Sequence, residues 1–163
     1  MNAETIEATI EAWTKEPAKA LGAPVVTARA EDSQAVIQAG PFTWRADLPP
    51  PLGGTNEAPS PTALLLGALA GCAVVFIRDT LAPQLGVRVT DVAATVKCET
   101  DARGLLGLEG AEPDLRNLSL DVTVESPDGD GAVRKIAEVW QERCPIYLAL
   151  LKPTGVAVQF RTA

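Results

Sequence analysis

No histidine occurs anywhere in the 163 residues. That absence removes imidazole as general base, as triad member and as metal ligand. Positive charge is scarce: 14 Lys and Arg stand against 21 Asp and Glu, a net charge of −7. Binding to phosphates draws on a positive surface that releases counterions, so nucleic acid is not an expected partner. Long apolar stretches are also missing. The longest, 63–77, holds Gly67 and Gly71 and stops at Arg78, whereas a bilayer span takes about 20 residues. It reads as a buried helix, and no membrane is expected. The first twenty residues carry Glu4, Glu7 and Glu11 and no basic stretch leading into an apolar run. They do not resemble a secretory signal, and the expected compartment is the cytoplasm.

Cysteine is limited to Cys72, Cys98 and Cys144. An odd, widely spaced set in a reducing compartment is not a disulfide framework, and without histidine it is a poor zinc set. The glycines at 53–54 and 104–110 lack the GK[ST] or GxGxxG context of a phosphate loop. No metal and no organic cofactor is expected.

What is present is a 47% hydrophobic, 21% charged chain, an ordinary globular composition of single-domain length. Ile6, Ile10 and Trp13 recur at helical spacing, with Asn2 as an N-cap and Pro17 as a stop. Residues 1–20 are therefore read as a docking helix, separate from a domain over 21–163. Strands are expected over 25–30, 35–38 and 42–46, then a Pro/Gly-rich loop. Ser60-Pro61 is a helix start, N-cap followed by N1 proline. That helix is expected to run to about Leu81 and end at Pro83. It is apolar nearly all round, so one chain of this size cannot easily surround it and a partner subunit could.

Strands are expected over 87–98, with Val92, Ala94, Val96 and Cys98 on one face, and over 118–125. The intervening loop 101–114, with Leu105, Leu106 and Leu108, is either a lid over an apolar pocket or a hairpin tip covering core, the second being preferred. Val133, Ile136, Ala137, Trp140 and Cys144 form one stripe of a second helix that ends at Cys144-Pro145. A further helical turn over 147–151 and a last strand through Val156, Val158 and Phe160 complete the chain. Strands and helices do not alternate strictly, so the fold class is α+β with antiparallel sheets.

Cys72 and Cys144 each sit on a buried helical face beside a residue that alters the backbone, Gly71 and Pro145. Each is either a small core residue or a reactive thiol. As a pair they could do peroxide chemistry: one thiolate attacks a peroxide oxygen and becomes a sulfenic acid, the other condenses with it, and a dithiol restores both. Such a thiolate needs a positive neighbour, which arginine supplies best. Cys98, on the apolar face of a strand, is read as core filling.

The segment Ser60-Pro61-Thr62-Ala63-Leu64-Leu65-Leu66-Gly67-Ala68-Leu69-Ala70-Gly71-Cys72, with Gly53-Gly54-Thr55-Asn56 before it and Cys144-Pro145-Ile146 after it, resembles the cysteine-helix pattern of the OsmC/Ohr family, the osmotically inducible and organic hydroperoxide resistance proteins. The resemblance covers about residues 24–163. It implies an OsmC-like fold, antiparallel sheets around a long central helix, in an intertwined homodimer with active sites at the interface. It also implies a thiol-dependent peroxidase acting on organic hydroperoxides. Cys72 would match the peroxidatic cysteine and Cys144 the resolving one, with a dithiol or lipoylated protein as reductant and no metal or flavin. Two departures stand out. Thr62 and Ala63 occupy the positions of the family's glutamate, for which Glu57 in the preceding loop is the nearest substitute. The family's arginine follows the first strand, where Arg29 is nearest and Arg45 the alternative, while Arg78 points elsewhere on the helix. Two other readings stay open: a non-catalytic dimer that binds an apolar small molecule, and a thiol redox sensor.

Overall fold

The structure is a computed structural model that describes residues 3–152 and 155–162; the expected Asn2 cap lies outside them. Helix α1 (Ala3–Lys15) rests against the end of the central helix, with Ile6 half-buried and Ile10 and Trp13 still exposed. Strands β1 (Thr27–Glu31), β2 (Gln34–Ala39) and β3 (Phe42–Ala46) form an antiparallel sheet in that order. Asp32 and Gly40, both at positive φ, make the two tight turns.

The loop after β3 is organised by one carboxylate. Asp47 is only 4% exposed. It accepts from the backbone N–H groups of Leu48, Thr55 and Glu57 and from the Thr55 hydroxyl. These donors hold its carboxyl down to about 2, the Thr55 hydroxyl foremost. Gly54 completes the loop: a Cβ there would run into the Leu48 carbonyl and the Asp47 carboxylate. The proline-rich segment is thereby folded back onto itself and delivers Ser60 to the start of the next helix.

Helix α2 (Pro61–Phe76) starts as expected, the Ser60 hydroxyl accepting from the Ala63 N–H. It does not stop at Pro83. A π turn (Ile77–Leu81) leads directly into α3 (Ala82–Leu85), with Pro83 in the first turn of α3. A proline ring clashes with the carbonyl four residues earlier. The wider π turn, in which the Ala82 N–H reaches back to the Ile77 carbonyl, re-registers the ladder so that the ring is accommodated. The helical stretch Pro61–Leu85 is 25 residues and, by length and composition only, apolar enough to cross a membrane. Here it packs as a core helix on β4 (Asp91–Glu99) and against α6 (Pro145–Leu151), and its π turn meets α5 (Asp130–Arg143).

β4 pairs antiparallel with β5 (Arg116–Glu125). β4 begins four residues later than the expected 87, and residues Val92, Ala94, Val96 and Cys98 do share its inward face. Gly86 caps the preceding helix in the left-handed region, so 87–90 serve as connection and not as strand. The core is Leu69, Ala73, Ile77, Leu81, Ala82, Val92, Ile136, Trp140 and Cys144. Of the stripe read from the sequence, Ile136, Trp140 and Cys144 are in the core and Val133 is half-buried, while Ala137 is exposed.

Two further expectations are corrected. Between β4 and β5 lies a short helix, α4 (Ala102–Leu105), and Leu105, Leu106 and Leu108 are exposed. Leu105 and Leu106 wall a cavity of about 560 Å³ with Leu48, Leu52 and Pro61 instead of covering core. The last strand does not form: 155–162 has no regular structure, and Phe160 is 96% exposed. Alternation alone makes no strand without backbone pairing, and 155–162 pairs with none of the sheet edges that β1, β3, β4 and β5 present.

Candidate functional site

Two helices converge on one pair of sulfur atoms. Cys72 lies in the middle of α2, at the border between its core-facing stripe and its open one. Cys144 stands at the junction of α5 and α6. There Pro145 cannot continue the α5 ladder, so Cys144 adopts an extended backbone and serves as N-cap of α6, its sulfur accepting from the Tyr147 N–H at 3.5 Å. The result is a Cys72 Sγ to Cys144 Sγ distance of 3.1 Å. That is a thiol–thiol contact, longer than a disulfide bond and short enough for one to form with little movement. Both cysteines are free.

The two thiols differ in access. Cys144 is fully buried at 0% exposure, while Cys72 is half-buried. Burial pushes the Cys72 thiol up to about 11, and the neighbouring Cys144 adds to the rise. The Ile146 amide, donating toward the Cys72 sulfur, works in the opposite direction. Within one protomer Cys72 is protonated at neutral pH, and as the less buried of the two it is the thiol an oxidant reaches first.

The cationic partners named from the sequence lie elsewhere. Arg29, on β1, is exposed and paired with Glu31 at 2.6 Å. Arg45, on β3, is paired with the same Glu31 and donates to the Gln34 side-chain oxygen at 3.0 Å. Gln34 in turn donates to Glu57 at 3.3 Å. Glu57 therefore turns toward the β1–β3 sheet and links through Gln34 to Arg45, a polar chain that spacing alone does not reveal. Arg78 pairs with Asp79. Cys98 sits on the inward face of β4, half-buried. Among the described residues no group of three or more Asp, Glu or Cys side chains is placed to hold a metal ion.

Sequence reasoning missed Asp47, whose only signal was an acidic residue just before a Pro/Gly loop. It also missed the aromatic pair that flanks the thiols. Trp140 and Tyr147, one turn either side of Cys144, have ring centroids 5.2 Å apart.

A family model described as OsmC-like protein matches residues 54–159, more than half of the chain. Among curated proteins, none matches. Solved structures share the fold at low identity. An OsmC-like protein from Mycoplasma pneumoniae has TM-score 0.67 and 22% identity, covering 81% of this chain and 89% of that one. An organic hydroperoxide resistance protein OsmC from Legionella pneumophila has TM-score 0.59 and 19% identity, over 80% and 90%. An organic hydroperoxide resistance protein from Elizabethkingia anophelis, solved with thiocyanate bound, has TM-score 0.55 and 16% identity, over 79% and 88%.

Proposed function

Because this chain belongs to the OsmC-like protein family, with a fold shared by hydroperoxide resistance proteins, we propose that it is a thiol-dependent peroxidase that reduces organic hydroperoxides through Cys72 and Cys144. The observation that carries this reading is the 3.1 Å sulfur contact, built from two different helices.

In the proposed cycle the Cys72 thiolate attacks the outer peroxide oxygen. An S–O bond forms, the O–O bond breaks, and the alkoxide leaves as an alcohol after taking a proton. Cys72 is then a sulfenic acid. The Cys144 thiol attacks that sulfur, its proton leaves with the sulfenic oxygen as water, and a disulfide closes. An external dithiol, free or as a lipoyl group, returns two electrons and two protons by thiol–disulfide exchange. The half-buried position suits Cys72 to attack and the buried one suits Cys144 to resolve.

The raised Cys72 thiol needs a cation before it can work at neutral pH. We assign this role to Arg29, delivered on assembly of an intertwined homodimer. Three features support the dimer. α2 leaves an open stripe with Val75 50% exposed. Gly67 and Gly71 on that stripe have nothing within 4 Å of a built Cβ. Phe42 and Trp44 on β3, and Val25 and Val26 just before β1, are exposed. In this reading residues 1–20, which contain α1, are an added docking segment, residues 21–163 are the working domain, and the protein acts in the cytoplasm.

The test is turnover of cumene hydroperoxide with dihydrolipoamide. Cys72→Ser is expected to abolish it. Cys144→Ser is expected to permit one turnover and then over-oxidation of Cys72, visible by mass spectrometry. Turnover that survives in Cys72→Ser defeats the proposal. The raised thiol favours one rival, a slow redox sensor; its signature in this assay is formation of the Cys72–Cys144 bond without catalytic recycling.

A further inference from the structure

A disulfide between Cys72 and Cys144 would offer a reductant two sulfurs, and their surroundings are unlike. Thiol–disulfide exchange is an in-line displacement. The entering sulfur comes in along the S–S axis, opposite the sulfur that leaves, so access decides which of the two is attacked.

Around Cys144 lies the core. It is fully buried, in one cluster with Ile136 and Trp140. Tyr147 borders two cavities near this junction, and Cys144 lines neither. An entering thiol has to part the packed side chains before it meets that sulfur. Cys72 instead borders the open stripe of α2. It is half-buried, and its helical neighbours Ala68, Gly71 and Val75 are exposed. A Cβ built on Gly71 meets nothing within 4 Å, so the helix surface beside this thiol is clear. The leaving position is also marked. The Tyr147 N–H donates to the Cys144 sulfur at 3.5 Å and favours the negative charge that arrives there as the bond breaks.

We propose that the reductant attacks Cys72 and that Cys144 is always the leaving sulfur. Cys72 then meets both oxidant and reductant, while Cys144 exchanges only with Cys72. The proposal rests on the cycle above, in which peroxide reaches Cys72 by the same open side. In the first half of reduction a thiolate of the dithiol forms an S–S bond to Cys72 Sγ. The Cys72–Cys144 bond breaks, and its electron pair stays on Cys144 Sγ, which takes up the proton the dithiol gave up. In the second half the other thiol of the same dithiol attacks the reductant sulfur held by Cys72. The dithiol leaves as its cyclic disulfide, and Cys72 recovers its electron pair and a proton. Two electrons and two protons pass to the protein in all.

The test uses the full wild-type chain, oxidised with diamide so that no peroxide takes part. It is mixed briefly with 2-mercaptoethanol, a monothiol that cannot complete the second half by itself, then quenched in acid and blocked with N-ethylmaleimide. Peptide mass spectrometry is expected to find mercaptoethanol on Cys72 and maleimide on Cys144, in excess of the reverse arrangement by at least about tenfold. Where the adduct is too short-lived to trap, native Cys144→Ser and Cys72→Ser are compared in reaction with 2,2′-dithiodipyridine, each site again read by mass spectrometry. Cys72 is expected to react at least about tenfold faster than Cys144. Mercaptoethanol found on Cys144 as often as on Cys72 overturns the proposal, as does a Cys144 that reacts as fast as Cys72. Diamide that leaves both thiols free overturns it as well. Failure of cumene hydroperoxide turnover would sink the peroxidase and leave this measurement standing, whereas attack at Cys144 would leave turnover intact and sink only the present assignment.

Discussion

Asp47 is the residue on which the approach to the central helix turns. Its carboxylate gathers the N–H groups of Leu48, Thr55 and Glu57, and these donors favour the charged form. A carboxyl held at about 2 against an ordinary 3.8 stabilises the fold at every pH above the ordinary value. The contribution fades as pH falls from about 4 to about 2, because the unfolded chain takes the proton first. Asp47→Asn is therefore expected to lower the melting temperature at pH 7, and the gap to the wild type should narrow as pH drops through that window. Thermal unfolding at pH 7, 4 and 2 measures it. A gap that does not change with pH would mean that the loop relies on the shape of the side chain and not on its charge. The sequence showed Asp47 only as one acidic residue among 21 Asp and Glu; its role became visible when 55–57 folded back over it.

At the level of elements, α2 and α5 were legible because their signals are local: a Ser-Pro start, a continuous apolar run, and a stripe at helical spacing. The π turn was not. Pro83 reads as a terminator wherever the upstream ladder is regular, and nothing in 77–81 announces that it widens. The turn places Ile77, Leu81 and Ala82 in the core, so the helix gains packing beyond the point where it should have ended. Leu81 is fully buried there. Leu81→Ala is expected to cost about 2–5 kcal/mol, the range for deleting a buried leucine with partial collapse. Urea unfolding gives the value; a loss below about 1 kcal/mol would show that the π turn repacks freely and is not a fixed part of the core. The last strand failed for the opposite reason. Val156, Val158 and Phe160 have the right period, but period 2 specifies a face only in a segment that pairs with a sheet edge, and this one pairs with none.

For the whole molecule, half of the candidate site could be read from the sequence and half could not, and the division follows burial. The thiols lie on apolar stripes within one protomer, so periodicity placed both on interior faces. The charged half lies on an open sheet, where Arg29 and Arg45 share Glu31, one on each carboxylate oxygen, and nothing in the spacing says which one a second subunit would bring to the sulfur. In the proposed cycle, assembly is thus the step on which catalysis would depend. Gly67 faces open space on α2, so Gly67→Leu should leave the protomer folded while holding a second helix away. It is expected to convert a dimer to monomers in sedimentation, with the circular dichroism spectrum unchanged. The same variant should change the chemistry of the thiol. In a lone protomer Cys72 titrates at about 11, above the ordinary value, so iodoacetamide reaction should keep rising well into the alkaline range. In the wild-type dimer an arginine beside the sulfur should bring the midpoint below that of an ordinary cysteine, and Arg29→Ala should return it toward the monomer's. If wild type, Gly67→Leu and Arg29→Ala all share one alkaline midpoint, no cation reaches Cys72. A thiol that remains protonated at neutral pH then attacks peroxide too slowly for turnover, and the sensor reading takes precedence over the enzyme.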